Sequence, residues 1–91
     1  MTLIDEKPWF VYMAECRDTT IYTGVSVDVS RRINAHNAGR GAKYTRSRRP
    51  VSIVYISEPM SRSEAHRQER LIKKWPRKKK LALIEQYSRR V

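Results

Sequence analysis

Five polar side chains stand at positions where the surrounding pattern calls for apolar ones: Tyr12, Tyr22, Arg32, His36 and Glu69. Singly, each has an ordinary explanation. Tyrosines in strands are common on sheet surfaces. A helical arginine lays its stem along apolar surface with its head in water. A lone histidine or glutamate is satisfied by a neighbour more often than it is a catalyst. Together they cover the needs of phosphodiester hydrolysis: a base for water, a cation for the phosphoryl charge, a ligand for a metal, and relief of the leaving oxygen. Arg32 can form a forked contact with phosphate oxygens. Glu69 can hold one divalent ion through oxygen, and magnesium suits a single carboxylate completed by water and phosphate. A tyrosine beside a positive charge can be drawn toward phenolate and serve as the base.

The elements that must position these groups follow from local pattern. Residues 9–16 (WFVYMAEC) are apolar on both parities, which suits a strand in the middle of a sheet. Residues 17–19 (RDT) read as a tight polar turn. Residues 20–25 (TIYTGV) read as a second strand, antiparallel to the first. Gly24 near its end marks a close backbone approach or a bulge. A helix from about residue 27 to 37 follows, capped by Ser26 or Asp28. It carries Val29, Arg32, Ile33 and His36 on one face. Residues 37–39 (NAG) stop it, because Gly and Asn tolerate the left-handed backbone.

Residues 39–50 (GRGAKYTRSRRP) read as a loop holding two glycines and five basic residues. Its functional reading is phosphate contact through Lys43, Arg46, Arg48 and Arg49, with Tyr44 for stacking. Residues 52–57 form a third strand. Ser61 followed by Glu64 is a capping-box signature, so both have a structural task at the start of the next helix. Ala65, Glu69 and Ile72 share that helix's inner face, with Trp75 one turn on, and Lys73 adds a further phosphate contact. Pro76 ends the helix and opens another over 77–87, whose Leu81, Ile84 and Tyr87 or Ser88 are expected to cover the sheet. The run 77–80 (RKKK) reads as a solvated face.

Ninety-one residues make one domain, expected over 9–91 behind a short N-terminal arm at 1–8. A formal charge of +11 selects polyanionic partners, nucleic acid before an anionic membrane surface. One cysteine, Cys16, allows neither an internal disulfide nor a Cys-rich zinc site and fits a reducing compartment. No apolar run approaches the length of a membrane span, and residues 1–8 lack the order of a signal peptide. The expected location is the cytoplasm, including association with the nucleoid.

The ordered set Val11-Tyr12-Met13, Tyr22-Thr23-Gly24, Arg32, His36 and Glu69 resembles the GIY-YIG nuclease domain. The first triplet matches only through Tyr12, the second closely. Residues 41–45 (GAKYT), the strand after Pro50, and the stretch from Ser63-Glu64-Ala65 through Glu69 to Lys73 extend the likeness over about 10–83, toward the small stand-alone members. The resemblance implies an α/β (α+β) fold, a three-stranded antiparallel sheet flanked by about three helices. It also implies metal-dependent cleavage of DNA with Mg2+ or Mn2+. Tyr22 takes the base role, Tyr12 positions water or phosphate, and Arg32 offsets phosphoryl charge. His36 relays a proton or touches phosphate, and Glu69 ligates the metal. Several branches carry an asparagine about a dozen residues past the metal glutamate, and no asparagine follows Glu69 here. The alternatives are a nucleic-acid-binding protein of the same fold with weak or no cleavage, and a basic adaptor docking on a repair or replication protein. RNA stands beside DNA as a candidate ligand, and no small-molecule cofactor is expected.

Overall fold

The computed structural model describes residues 7–90. Most of the expected N-terminal arm, residues 1–6, lies outside them. In chain order the elements are β1 (Phe10–Glu15), β2 (Ile21–Ser26), α1 (Val29–Asn37), α2 (Lys43–Arg46), β3 (Ser52–Ile56), α3 (Arg62–Lys73) and α4 (Arg77–Arg90). The three strands form one antiparallel sheet in the order β2-β1-β3.

The central place of β1 follows from its two apolar faces. Val11 and Met13 pack with Ala65 and Ile72 of α3. Tyr12, Ala14 and Cys16 pack on the opposite face with Val29 and Ile33 of α1 and with Val51. The β1–β2 turn is tied by Asp18, which accepts from the Thr20 N–H at 3.2 Å and its hydroxyl at 2.6 Å. In register, Tyr12 lies opposite Gly24. A Cβ on Gly24 would stand 2.6 Å from the Tyr12 hydroxyl oxygen. The glycine therefore lets a phenol ring lie flat across the neighbouring strand.

Helix α1 begins two residues later than expected. Asp28 is the cap, accepting from the Arg31 N–H at 3.1 Å, while Ser26 braces the turn through the Asp28 backbone. The helix ends at Ala38, and Gly39 follows with φ +84°. Beyond it, the stretch expected to be a loop contains a one-turn helix, α2, so four helices flank the sheet among the described residues. Its hold is tertiary: Thr45 is fully buried against α1.

Asn37 fastens the exit from this segment. Its side chain accepts from the Val51 N–H at 2.7 Å and donates to the Val51 carbonyl at 3.0 Å, as a strand partner would. Val51 is buried, so Asn37→Ala leaves two backbone groups short of partners. Urea denaturation of that variant is expected to show a loss of about 1–2 kcal/mol.

Two further expectations need correction. Ser61 caps α3 by accepting from the Glu64 N–H at 3.1 Å. Glu64, however, turns outward to Arg67 at 2.7 Å and Gln68 at 3.0 Å, so the capping box is half made. In α4 the inner face is Leu83, Ile84 and Tyr87 rather than Leu81, which is exposed. Where the helix packs on β3, the stripe keeps Ile84 and Tyr87 and takes Leu83 in place of Leu81. Pro76 precedes the first helical residue, its carbonyl receiving the N–H groups of Lys79 and Lys80.

Candidate active site

The face of the sheet under α1 collects four of the five singled-out residues. Tyr12 reaches it from β1, Tyr22 from β2, and Arg32 and His36 from α1, one turn apart. The Tyr12 hydroxyl oxygen lies 2.8 Å from His36 Nε2. The Tyr22 ring packs edge-on to the imidazole, with centroids 5.2 Å apart, and lies 6.3 Å from the Tyr12 ring. Tyr12 and His36 are both wholly buried, whereas Tyr22 and Arg32 are half-buried and reach the surface.

Burial is the main cause that pushes the Tyr12 phenol up to about 12. Tyr22 raises it further, Arg32 pulls it down, and Glu69 adds a small upward push. Arg32 and Glu69 thus both act on the same hydroxyl, one from α1 and one from α3. Burial, and then the Arg32 charge, lower the His36 pKa, so the imidazole is held neutral. Its other nitrogen, Nδ1, lies 2.8 Å from the Thr45 hydroxyl and receives the Ala42 N–H at 3.3 Å. Every polar atom of the ring is engaged inside the protein. The resemblance implied proton relay or phosphate contact for His36; the ring itself is wholly buried and bonded at both nitrogens.

Glu69 projects from α3, next to the edge strand β2. Its side chain is only 16% exposed, with Oε2 3.2 Å from Lys73 Nζ and Oε1 3.5 Å from His66 Nδ1. Lys73 Nζ in turn lies 5.9 Å from the centre of the Tyr22 ring. Glu69 and Tyr22 therefore share Lys73 as a neighbour, although α3 packs on the face of the sheet opposite α1.

The expected phosphate contacts divide into two groups. Lys43 and Arg46 are exposed, and neither pairs with a carboxylate among the described residues. Arg48 and Arg49 are partly committed to the fold. Arg48 holds Asp18 at 3.0 Å and the Tyr44 carbonyl at 2.8 Å, and its guanidinium lies 4.0 Å over the Tyr44 ring. Arg49 donates to the carbonyls of Arg46 and Asn37, at 2.9 and 3.3 Å. The Tyr44 ring also stacks on Tyr22, 6.0 Å between centroids. Tyr44 thus supports Tyr22 from outside the site as well as meeting solvent.

Sequence reasoning placed Gly41 and Thr45 in the family-like stretch 41–45 but gave neither a role in the site. Thr45 bonds the imidazole, and a Cβ on Gly41 would fall 2.0 Å from His36 Nδ1. Both lie in a stretch with no apolar period. The available signal was the likeness of 41–45 (GAKYT) to the family, which marks the stretch without saying that Thr45 is buried against His36.

Among the described residues no helix is long and apolar enough to cross a membrane. The model of the GIY-YIG catalytic domain matches residues 8–82. A UPF0213 protein of Streptococcus agalactiae is 49% identical over 80 residues, covering 88% of this chain and 91% of the relative. Another, from Desulfotalea psychrophila, is 45% identical over 82 residues, covering 89% and 74%. The solution NMR structure of a UPF0213 protein from Bacillus halodurans matches with a TM-score of 0.55 and 44% identity, over 86% of this chain and 83% of that one.

Proposed function

The chain belongs to the GIY-YIG family, and on that footing we propose that it is a divalent-metal-dependent endonuclease acting on DNA. Nuclease chemistry on nucleic acid is what the family's catalytic domain supports, and its nucleases generally use divalent metals. The observation that carries the reading further is the convergence on Tyr12. A single buried hydroxyl is bonded to His36 and lies within the fields of Arg32, Tyr22 and Glu69, residues drawn from three other elements.

The Glu69 carboxylate fits a hard oxygen-seeking ion, with the His66 imidazole as its nitrogen neighbour. No three His, Cys, Asp or Glu side chains cluster into a metal site among the described residues. Glu69 is thus a lone carboxylate, and magnesium or manganese is commonly held by one such group with waters and substrate phosphate. When bound there, the ion would polarise the phosphate and offset its charge. The chain's own residues do the rest. Tyr22, whose ring reaches the surface, acts as phenolate after losing its own proton to solvent: it takes the proton of the attacking water, and the leaving oxygen is protonated from solvent. Arg32 pairs with the phosphoryl oxygens as charge builds, and no carboxylate neutralises it among the described residues. Tyr12 and His36 form the buried relay behind Tyr22, fixed in place by Thr45. Lys43 and Arg46 hold the strand beyond the scissile bond, with Arg48 and Arg49 lending charge from their structural positions.

The contacts proposed here are all to backbone phosphate, which fits selection by DNA shape, as in branched intermediates of repair or recombination. The net positive charge and the single buried cysteine suit work in the cytoplasm, at the nucleoid. The test is a cleavage panel of linear duplex, single-stranded, flapped and four-way DNA with an RNA duplex beside them, in Mg2+, Mn2+ or EDTA. Metal-dependent cutting, about tenfold faster on branched than on linear DNA, is the expected result. Steeply salt-dependent binding with no cutting of any substrate would instead establish a binding protein of the same fold, a reading kept alive by the lack of an asparagine after Glu69.

A further inference from the structure

The pairing of Glu69 bears on how metal enters this site. Both carboxylate oxygens already have cationic or potentially cationic neighbours, Lys73 at 3.2 Å and His66 at 3.5 Å. The Lys73 partner is built in by spacing. Glu69 and Lys73 stand at i and i+4 on α3, the favourable order for such a pair. The same ammonium lies 5.9 Å from the Tyr22 ring, between the carboxylate and the proposed base. That is the ground a metal-held phosphate must occupy.

We infer that Lys73 is the resident counter-cation of Glu69: it holds the carboxylate in the free protein and gives it up to a divalent ion when a nucleic-acid phosphate offers the ammonium another partner. This rests on the proposed metal role of Glu69. The carboxylate side chain is 16% exposed and that of Lys73 50%, so the lysine is the mobile member. Its flexible stem lets the charge swing from carboxylate to phosphate without moving the helix. A divalent ion arriving without substrate meets both a broken ion pair and a like charge close by. With phosphate present, both costs fall, because the ammonium becomes part of phosphate binding. Metal loading and substrate binding are thereby linked, and an idle site holds metal weakly. Linkage of this kind is reciprocal, so bound metal also strengthens the hold on phosphate.

The experiment titrates Mn2+ alone into the full-length chain at low ionic strength and follows free Mn2+ by electron paramagnetic resonance. Wild type, Lys73→Met, Lys74→Met and Glu69→Gln are compared. Lys74 is the neighbouring exposed lysine and makes no ion pair with Glu69, so it reports the loss of one positive charge as such. Lys73→Met is expected to bind Mn2+ about three- to tenfold more tightly than wild type, the scale of a partly exposed pair plus a removed repulsion. Lys74→Met is expected to stay within about twofold, and Glu69→Gln to lose the site. Equal affinities for Lys73→Met and Lys74→Met, or a weaker Lys73→Met, would overturn the inference while leaving Glu69 as metal ligand. Binding unaffected by Glu69→Gln, or none in any variant, would remove the metal role of Glu69 itself and the inference with it.

Discussion

Glu69→Gln is expected to slow metal-dependent DNA cleavage by about 10³-fold or more, with the fold, and the DNA affinity measured in EDTA, close to wild type. The size follows from the chemistry removed. A metal ion at the phosphate supplies several kcal/mol of charge stabilisation in the transition state, and each ~1.4 kcal/mol is tenfold in rate. Glutamine keeps the shape and loses the charge that holds the ion. The structural cost is small, because the Lys73 partner is half exposed and the His66 contact is long, 3.2 and 3.5 Å respectively. Pairs of that kind are worth about 1 kcal/mol or less. Loss of one acidic group from a chain of net charge +11 does not weaken attraction to phosphate. Single-turnover cleavage, fluorescence anisotropy on the same DNA and a thermal melt together check the prediction. If the variant retained a tenth of the wild-type rate, Glu69 would not be the metal ligand. If metal-free DNA binding and the melting temperature both fell along with cleavage, the residue would be structural.

The parts of this site that pattern revealed are those whose side chains break a period. Arg32 and His36 stood out because they share a helical stripe with Val29 and Ile33, which pack in the core. Glu69 stood out between Ala65 and Ile72, both buried. The middle position of β1 was legible because residues on both its parities are apolar. What was not legible has tertiary causes. Helix α2 is one turn long, too short to show a period, and depends on the bond between Thr45 and His36, nine positions earlier in the chain. Glu64 had two possible partners, the helix start and Arg67, and the bidentate arginine contact won. The basic residues of the 39–50 stretch looked alike as charges. Only the fold separates Arg48 and Arg49, drawn onto backbone carbonyls, from Lys43 and Arg46. The i, i+4 spacing that pairs Lys73 with Glu69 was visible too, but the lysine was read only as a phosphate contact.

Gly41→Ala is expected to be the most destabilising single-methyl change among the glycines of the 39–50 segment, and to cost activity even where the protein remains folded. A Cβ there would lie 2.0 Å from His36 Nδ1, 2.7 Å from Cγ and 2.8 Å from Cα. One of these atoms is backbone within α1, and the ring is fixed at both nitrogens by Tyr12 and Thr45. Nothing flexible is available to give way. Either the segment carrying Thr45 moves off α1, or the imidazole leaves its buried slot and abandons both bonds. Overpacking with loss of a buried network puts the cost at about 3 kcal/mol or more, or a fall of roughly 15 °C in the melting temperature of a domain this size. Gly39→Ala is the informative comparison. Gly39 has φ +84°, which an alanine tolerates poorly, but the nearest atom to its Cβ is the Arg49 guanidinium end at 2.9 Å, which is exposed and can swing aside. Its cost is therefore about 1 kcal/mol of backbone strain. A Gly41→Ala protein melting within a few degrees of wild type, or above Gly39→Ala, would show that the imidazole is not held where the bonds to Tyr12 and Thr45 put it. The buried relay behind Tyr22 would then have to be discarded. If the expected order holds, the small residue at 41 is what allows the loop to close over His36, and the neutral buried imidazole follows from that closure.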